Sequence, residues 1–456
     1  MLITDSINNK QIVHEKRWDV SFNIEINKLN SKNVDFKTVD EMSEHITNGA
    51  TPLGANYPEE GINFFKANDV KKYTLDYVGH MYIRPEESEA IARSILQPND
   101  ILFTIKGKVG DVAVFPNGQP ESNINQDNAL IRLKPEYDPF YFTAVFNSKF
   151  GLNQIKAFAT ETVNPFLGIG NLKKLKVPFI EQSVMEDISN KVQQSIEYEL
   201  KSLNLIKDAQ EMLYGELNID SKLSKEIGFS TNLSDFKDAD LWIPKYSYPL
   251  YVDTINQIKE NFEIVSLNKI SDIIAGDEMG RNNYIKYLDR TETDVPFIRT
   301  SDILNYGVDL YPDFHVPIEL YEETNQDLVS GDILYTKDGK VGMSGMLTPE
   351  DKVVIGSGVS RIRINNLAKN YNINAEYLFL ILSLKETGVY PAIRRTVVAS
   401  TIPHLRINRL GEFEIPILDN KISKKLSNIV SEAFNLKDKN KKLIKEISLE
   451  IDNELN

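Results

Sequence analysis

Two stretches of this chain combine lysine, glycine and short apolar runs in a single pattern. Residues 100–110 read DILFTIKGKVG and residues 332–342 read DILYTKDGKVG. Asp100 and Asp332, Thr104 and Thr336, Gly107 and Gly339, and Gly110 and Gly342 are each separated by 232 positions. In both stretches an apolar run enters a Lys-bearing turn with paired glycines, and a second apolar run leaves it. That is the pattern of a β-hairpin with a cationic tip. Lys106 and Lys108 lie on one tip, Lys337 and Lys340 on the other. Other loops carry related side chains: Lys66, Asn68, Asn125, Asn128 and Thr162 in the first half, and Arg281, Arg299, Ser360, Arg394, Arg395, Thr396 and Ser400 in the second. Arg, Lys, Asn and Gln can read base edges in a major groove, while Lys, Arg, Ser and Thr can hold phosphates. Similar frames with different reading residues are what two domains reading different sequences need.

Catalytic constellations do not emerge from the same search. The chain has no GxxxxGK[ST] loop, no GxGxxG after a strand and no GxSxG elbow. Asn164-Pro165-Phe166 resembles a fragment of an amino-methyltransferase motif but lacks its second proline, and its counterpart, Ile402-Pro403-His404, has no asparagine. Zero cysteines exclude disulfides, thiolate zinc sites and cysteine nucleophiles. Five histidines, none spaced as HExxH, give no reason to expect a metal. No apolar run is long enough to span a membrane and no basic-then-apolar leader opens the sequence, so a cytoplasmic location is expected.

Length and composition set the frame for these residues. At 456 residues, with 41% apolar and 26% charged residues, the chain has room for two to four globular domains. Its net charge of −14 opposes nucleic-acid binding on average, but only the contacting face must be basic.

The repeat extends well beyond the hairpins. Trp18 and Trp242 each stand near the start of one half. TVDEMSEHITNG, ending at Gly49, and SLNKISDIIAG, ending at Gly276, both read as helical segments. Strands are expected at Phe64 to Val70 and Phe297 to Ile303, and again at Ala129 to Leu133 and Ser360 to Ile364. Short helices are expected around Tyr141 to Ser148 and Glu376 to Ser383. Each half then closes on a proline-marked segment, in which Pro165 and Pro403, Ile169 and Ile407, and Pro178 and Pro416 are all 238 positions apart.

After each closing proline the pattern becomes a long helix. Residues 180–219 place Val184, Ile188, Val192, Ile196, Leu200, Leu203, Ile206 and Leu213 on one stripe, with Ser183 and Glu186 spaced as a capping box. Residues 421–455 repeat the stripe with Ile422, Leu426, Ile429, Ala433, Leu436, Leu443, Ile447 and Ile451. A stripe this narrow over such a length is a coiled-coil-like seam, and equivalent positions in a repeated chain favour mutual, antiparallel pairing.

With these residues in view, the chain resembles the DNA-specificity subunit of type I restriction-modification systems. The matching strings are RWD near the start, NGATP at 48–52, DILFTIKGKVGDVAVF, INQDNALIRL at 124–133, and the two domain-plus-helix halves. The second half departs at AGDEMG (275–280) and GSGVSRIRI (356–364). The resemblance implies an α+β architecture of two tandem duplicated α/β target-recognition domains, at 1–179 and 220–416. Spacer helices at 180–219 and 417–456 would pair as an antiparallel coiled coil. It also implies a non-catalytic subunit that reads an asymmetric bipartite site in double-stranded DNA. Two methyltransferase subunits and restriction subunits are its expected partners, with S-adenosylmethionine on the methyltransferase and no cofactor on this chain. Three alternatives remain at this stage: the same subunit serving a restriction system of another type, an acidic interaction protein or DNA mimic, and a nuclease or methyltransferase active alone.

Overall fold

The structure, a computed structural model, describes residues 34–160, 164–219, 228–232, 241–278, 294–324, 326–398 and 402–455. Trp18, Thr162, Arg281 and Ser400 lie outside the described residues. Two compact units divide the chain: residues 1–197 with 440–456, and residues 198–439.

The first unit is built on a four-stranded antiparallel sheet of β2 (Ser43–Asn48), β8 (Asn128–Leu133), β5 (Ile101–Thr104) and β6 (Val112–Val114), in that spatial order. A three-stranded sheet places β3 (Ile62–Phe65) between β4 (Met81–Ile83), antiparallel, and β7 (Ser122–Ile124), parallel. A two-stranded ribbon pairs β1 (Asp35–Thr38) with β9 (Lys176–Phe179). Helices α1 (Pro139–Asn147) and α2 (Lys149–Phe158) follow β8. All residues of β5 and β6 are buried, as their continuous apolar sequences require.

The second unit repeats this order strand by strand. Its four-stranded sheet runs β11 (Ser271–Ala275), β17 (Val359–Ile364), β14 (Ile333–Thr336), β15 (Ser344–Met346). Its three-stranded sheet runs β13 (His315–Val316), β12 (Val295–Ile298), β16 (Val354–Ile355), with the β12–β16 pair parallel. Its ribbon pairs β10 (Ile264–Ser266) with β18 (Glu414–Pro416). Helix α4 (Pro249–Asn261) precedes β10, while α5 (Ala375–Ser383) and α6 (Tyr390–Arg395) follow β17.

Two long helices close the two halves, α3 (Gln182–Leu217) and α7 (Asn420–Leu455), each of 36 residues and so about 54 Å long. Serines tie each to its neighbouring globular part: Ser189 donates to the Asp138 carboxylate at 2.6 Å, and Ser427 donates to the Asn374 side chain at 2.8 Å. Asp138 and Asn374 are also the N-caps of α1 and α5. A tyrosine in the first turn of each short helix anchors it too. Tyr141 donates to the Pro178 carbonyl at 2.9 Å and Tyr377 to the Pro416 carbonyl at 2.8 Å, and burial pushes both phenols above the ordinary tyrosine value.

Three expectations need correction. TVDEMSEHITNG and SLNKISDIIAG each form a single helical turn, Val39–Met42 and Leu267–Ile270, and then become β2 and β11. Thr38 and Glu41 cap the first of these turns as a box, after which pairing with β8 outweighs helix propensity. The glycines that end these segments stand against backbone: a Cβ on Gly49 would lie 2.2 Å from the Asn125 carbonyl oxygen, and one on Gly276 would lie 2.3 Å from that of Ile355. Ser183 forms no capping box with Glu186. It donates to the Glu181 side chain at 2.6 Å, and Glu186 accepts from Gln182. The third correction concerns two positions of the stripe: Leu200 and Leu203 are only half-buried while Glu199 and Ser202 are buried, whereas Ile188, Val192, Ile196, Ile206 and Leu213 are buried as expected.

Candidate nucleic-acid interface

Both glycine-marked turns are hairpins: β5 pairs with β6, and β14 with β15. Gly107 and Gly110 have φ of 78° and 106°, and Gly339 and Gly342 have 66° and 99°. These left-handed values explain why glycine recurs at both places. Behind each tip one threonine hydroxyl organises the turn. Thr104 Oγ1 accepts from Gly110 N at 3.0 Å and Asp111 N at 2.9 Å, and Thr336 Oγ1 accepts from Met343 N at 2.9 Å.

At the base of each hairpin lies a buried aspartate. Asp100 accepts both Arg132 Nε at 2.7 Å and an Arg132 terminal nitrogen at 2.8 Å. Asp332 accepts the same fork from Arg363 at 2.6 and 2.7 Å. Each aspartate also accepts a backbone N–H, from Gln97 and Val329 respectively. These hydrogen bonds raise both guanidinium pKa values above the ordinary arginine value. The pairs are structural, joining a sheet-centre strand to the start of the hairpin.

Among the sequence candidates, the structure separates surface from interior. Lys106 is exposed, with only a long 3.9 Å approach to Asp127. Lys340 and Asn68 are exposed too. Lys108 is folded back on Asp111 at 2.8 Å, and Lys337 is buried with its ammonium 3.2 Å from Asp338. Lys66 is half-buried, its ammonium 4.2 Å from the Tyr57 ring centroid. Arg299 pairs with Asp302 and Asp313 and stacks on Phe314.

Five candidates read as loop side chains are interior. Asn128 donates to the Phe65 carbonyl and to Asn125, whose own amide bonds Asp127, so both asparagines brace the loop from inside. Ser360 is buried on β17, and Thr396 is buried and donates to the Ala392 carbonyl. Arg395 is buried against Glu414 at 2.9 Å. Arg394 donates to the Tyr246 carbonyl at 2.6 Å and stacks on that ring, and burial, then Arg395, lowers its pKa. In a repeat, polar residues at matching loop positions also serve internal bracing, and sequence spacing alone does not separate the two uses.

The structure also brings forward residues absent from that set: Phe166 in the first unit, and Asp338 and His404 in the second. Lys106 and Phe166 form an isolated antiparallel bridge, and so do Asp338 and His404. The signal was in the sequence, since 106 and 338 share the hairpin offset and 166 and 404 share the proline offset. Among the described residues, no group of three or more His, Asp and Glu side chains could hold a metal ion, and no helix is long and apolar enough to cross a membrane.

Residues 259–449 match the family profile of the type I restriction modification DNA specificity domain. The match lies in the second half of the chain. Among solved structures, a type I restriction-modification S subunit from M. genitalium is similar at 16% identity, covering 93% of this chain and 96% of that one with a TM-score of 0.36. The HsdS subunit from Thermoanaerobacter tengcongensis is similar at 14% identity, covering 93% and 97% with a TM-score of 0.31. Likeness of this degree fixes no residue role. No curated protein sequence matches the chain.

Proposed function

We propose that this chain is the DNA-recognition subunit of a type I restriction-modification complex, and that it reads an asymmetric bipartite site. The observation that carries this is the specificity domain at 259–449, whose strand order recurs in the first unit. In this reading each unit's sheets form a target-recognition domain. The long helices α3 and α7 pair antiparallel as the spacer, and side-chain bonds support that pairing. In the first unit Lys191 meets Glu450 and Ser195 meets Asn440; in the second Glu199 meets Lys437 and Lys201 meets Glu432. Rising numbers on one helix thus meet falling numbers on the other.

The chain itself transfers no methyl group in this proposal. Two methyltransferase subunits supply S-adenosylmethionine, restriction subunits supply cleavage, and the assembly works in the cytoplasm. The test is to purify the chain with its methyltransferase subunits, add S-adenosylmethionine and map the methylated sites. Two short unlike blocks separated by unspecified bases are expected. Methylation by the chain alone, or a single continuous block, refutes the proposal. The net charge of −14 favours one other reading, an acidic partner that binds DNA-handling enzymes without touching DNA. That reading requires a complex that forms and does not bind DNA.

A further inference from the structure

Each hairpin tip is stitched to its closing segment on both sides of one residue. In the first unit Gly107 N donates to the Pro165 carbonyl at 3.2 Å and Leu167 N to the Ile105 carbonyl at 2.8 Å, which brackets Phe166. In the second unit Gly339 N donates to the Pro403 carbonyl at 3.0 Å and Leu405 N to the Lys337 carbonyl at 2.8 Å, which brackets His404. The backbone frame is therefore the same, and the side chains it holds out differ: a phenyl ring beside Lys106, and an imidazole beside Asp338.

Phe166 is 43% exposed although both its backbone groups are fixed, N–H to Thr160 Oγ1 and carbonyl to Thr160 N, each at 3.0 Å. A large apolar side chain held out on a rigid backbone gains free energy only when something covers it. Lys106, whose backbone is bridged to it, carries an exposed side chain. His404 has a side chain 45% exposed, and its Nδ1 hydrogen-bonds the Asp338 carboxylate. The other Asp338 oxygen takes the buried Lys337 ammonium. Asp338 is thus occupied on both oxygens and orients the imidazole, which leaves Nε2 as the polar atom available to a ligand.

We infer that Phe166 and His404 are specificity-determining side chains at one shared position of the repeated frame. Phe166 contacts a thymine methyl group and His404 Nε2 hydrogen-bonds a polar base edge, both in the major groove. Asp338 is a positioning residue for His404, and Lys106 neutralises a phosphate beside Phe166. The inference rests on the DNA-recognition reading above. It explains why two closely similar frames would read unlike sequences.

The test uses the full complex with its methyltransferase subunits and methylation mapping. Phe166→Ala is expected to lower base preference about 5- to 150-fold at one or two positions of one block, the range typical of a mismatched base pair, leaving the gap and the other block unchanged. His404→Ala should do the same in the other block. Phe166→Leu, which keeps an apolar contact, should retain the preference. Asp338→Asn keeps the shape of the side chain, so relaxation at the same position as His404→Ala marks positioning, not folding. Both blocks surviving unchanged in Phe166→Ala and His404→Ala overturns the inference while the wild-type site leaves the recognition reading intact. A loss uniform over all sequences overturns it as well. A wild-type complex with no sequence preference removes the parent reading, and the inference with it.

Discussion

In the seam of the long helices, Lys437 Nζ lies 3.1 Å from Glu199 Oε1, and the two side chains are 3% and 10% exposed. At that distance the attraction is about 5 kcal/mol for an effective dielectric of about 20. Removing each ion from water costs several kcal/mol, so the pair contributes little net stability. A lone survivor is different, because it stays desolvated after losing its short-range counter-charge. Lys437→Met and Glu199→Leu are each expected to cost about 3–5 kcal/mol, whereas the double replacement should return to within about 1 kcal/mol of the natural chain or exceed it. Urea unfolding of the full chain, followed by circular dichroism, measures the cycle. Hydrogen exchange on the α3 and α7 amides should accompany it, since two units need not unfold together. A single replacement costing under about 1 kcal/mol would mean that the pair is solvated. A double variant no better than either single one would mean that the losses come from packing, not charge.

Other substitutions probe the frame and the interface. Gly151→Ala should cost about 1–3 kcal/mol, because its Cβ would stand 2.3 Å from the Val145 carbonyl oxygen, whereas Gly215→Ala, in open space within α3, should gain about 0.5–1 kcal/mol; equal thermal shifts would contradict this. Burial raises the Glu414 pKa, but Arg395 and Lys259 outweigh it and hold the carboxyl below its ordinary value. A depressed carboxyl contributes stability above its unfolded value of about 4.3 that is lost as pH falls through the folded one. Lys259→Met should therefore move the acid-unfolding midpoint to higher pH, and an unmoved midpoint counts against this pairing. In the assembled complex, Lys106→Ala should reduce the salt slope of DNA binding by about one while Lys108→Ala, whose ammonium sits on Asp111, changes it little. The reverse order would reassign the phosphate contact. Inserting one heptad after Leu203 and another after Leu436 lengthens the helices by about 10 Å, or about three base pairs, so only the gap of the methylated site should grow. An unchanged gap refutes the spacer.

The hairpins were legible in the sequence because two glycines per turn answer a backbone requirement that few other residues meet. The long helices were legible from period alone, and their ends fell within two residues of the expected bounds. Residues 39–48 were not legible: Val39, Met42 and Ile46 fit a helical spacing, and only the presence of β8 makes a strand of the second half. Two positions of the seam misled for a related reason. Leu200 and Leu203 are the more apolar side chains, but which face is buried depends on the partner, and a buried Glu199 becomes acceptable only once Lys437 is opposite. For the candidate interface, residue type was a poor guide to exposure. Asn125 and Asn128 carry ordinary contact chemistry but spend it on internal backbone, of Asp127 in the loop and of Phe65 in β3.

The repeat therefore divides into two classes of position that evolve under different constraints. Asp100 and Asp332, Arg132 and Arg363, Thr104 and Thr336, Gly110 and Gly342, and Tyr141 and Tyr377 keep identity because each makes the same internal bond or turn in both units. A change at any of these would strand a buried polar group or close a turn, which costs more than a surface replacement. Lys106 and Asp338, and Phe166 and His404, share the same backbone bridge but not the same chemistry. Backbone hydrogen bonds hold these positions whatever side chain they carry, so a unit can change what it presents without loss of fold. Under the proposed DNA-recognition function, a scaffold of this kind would let recognition diverge between the two units while the backbone frame stays constant.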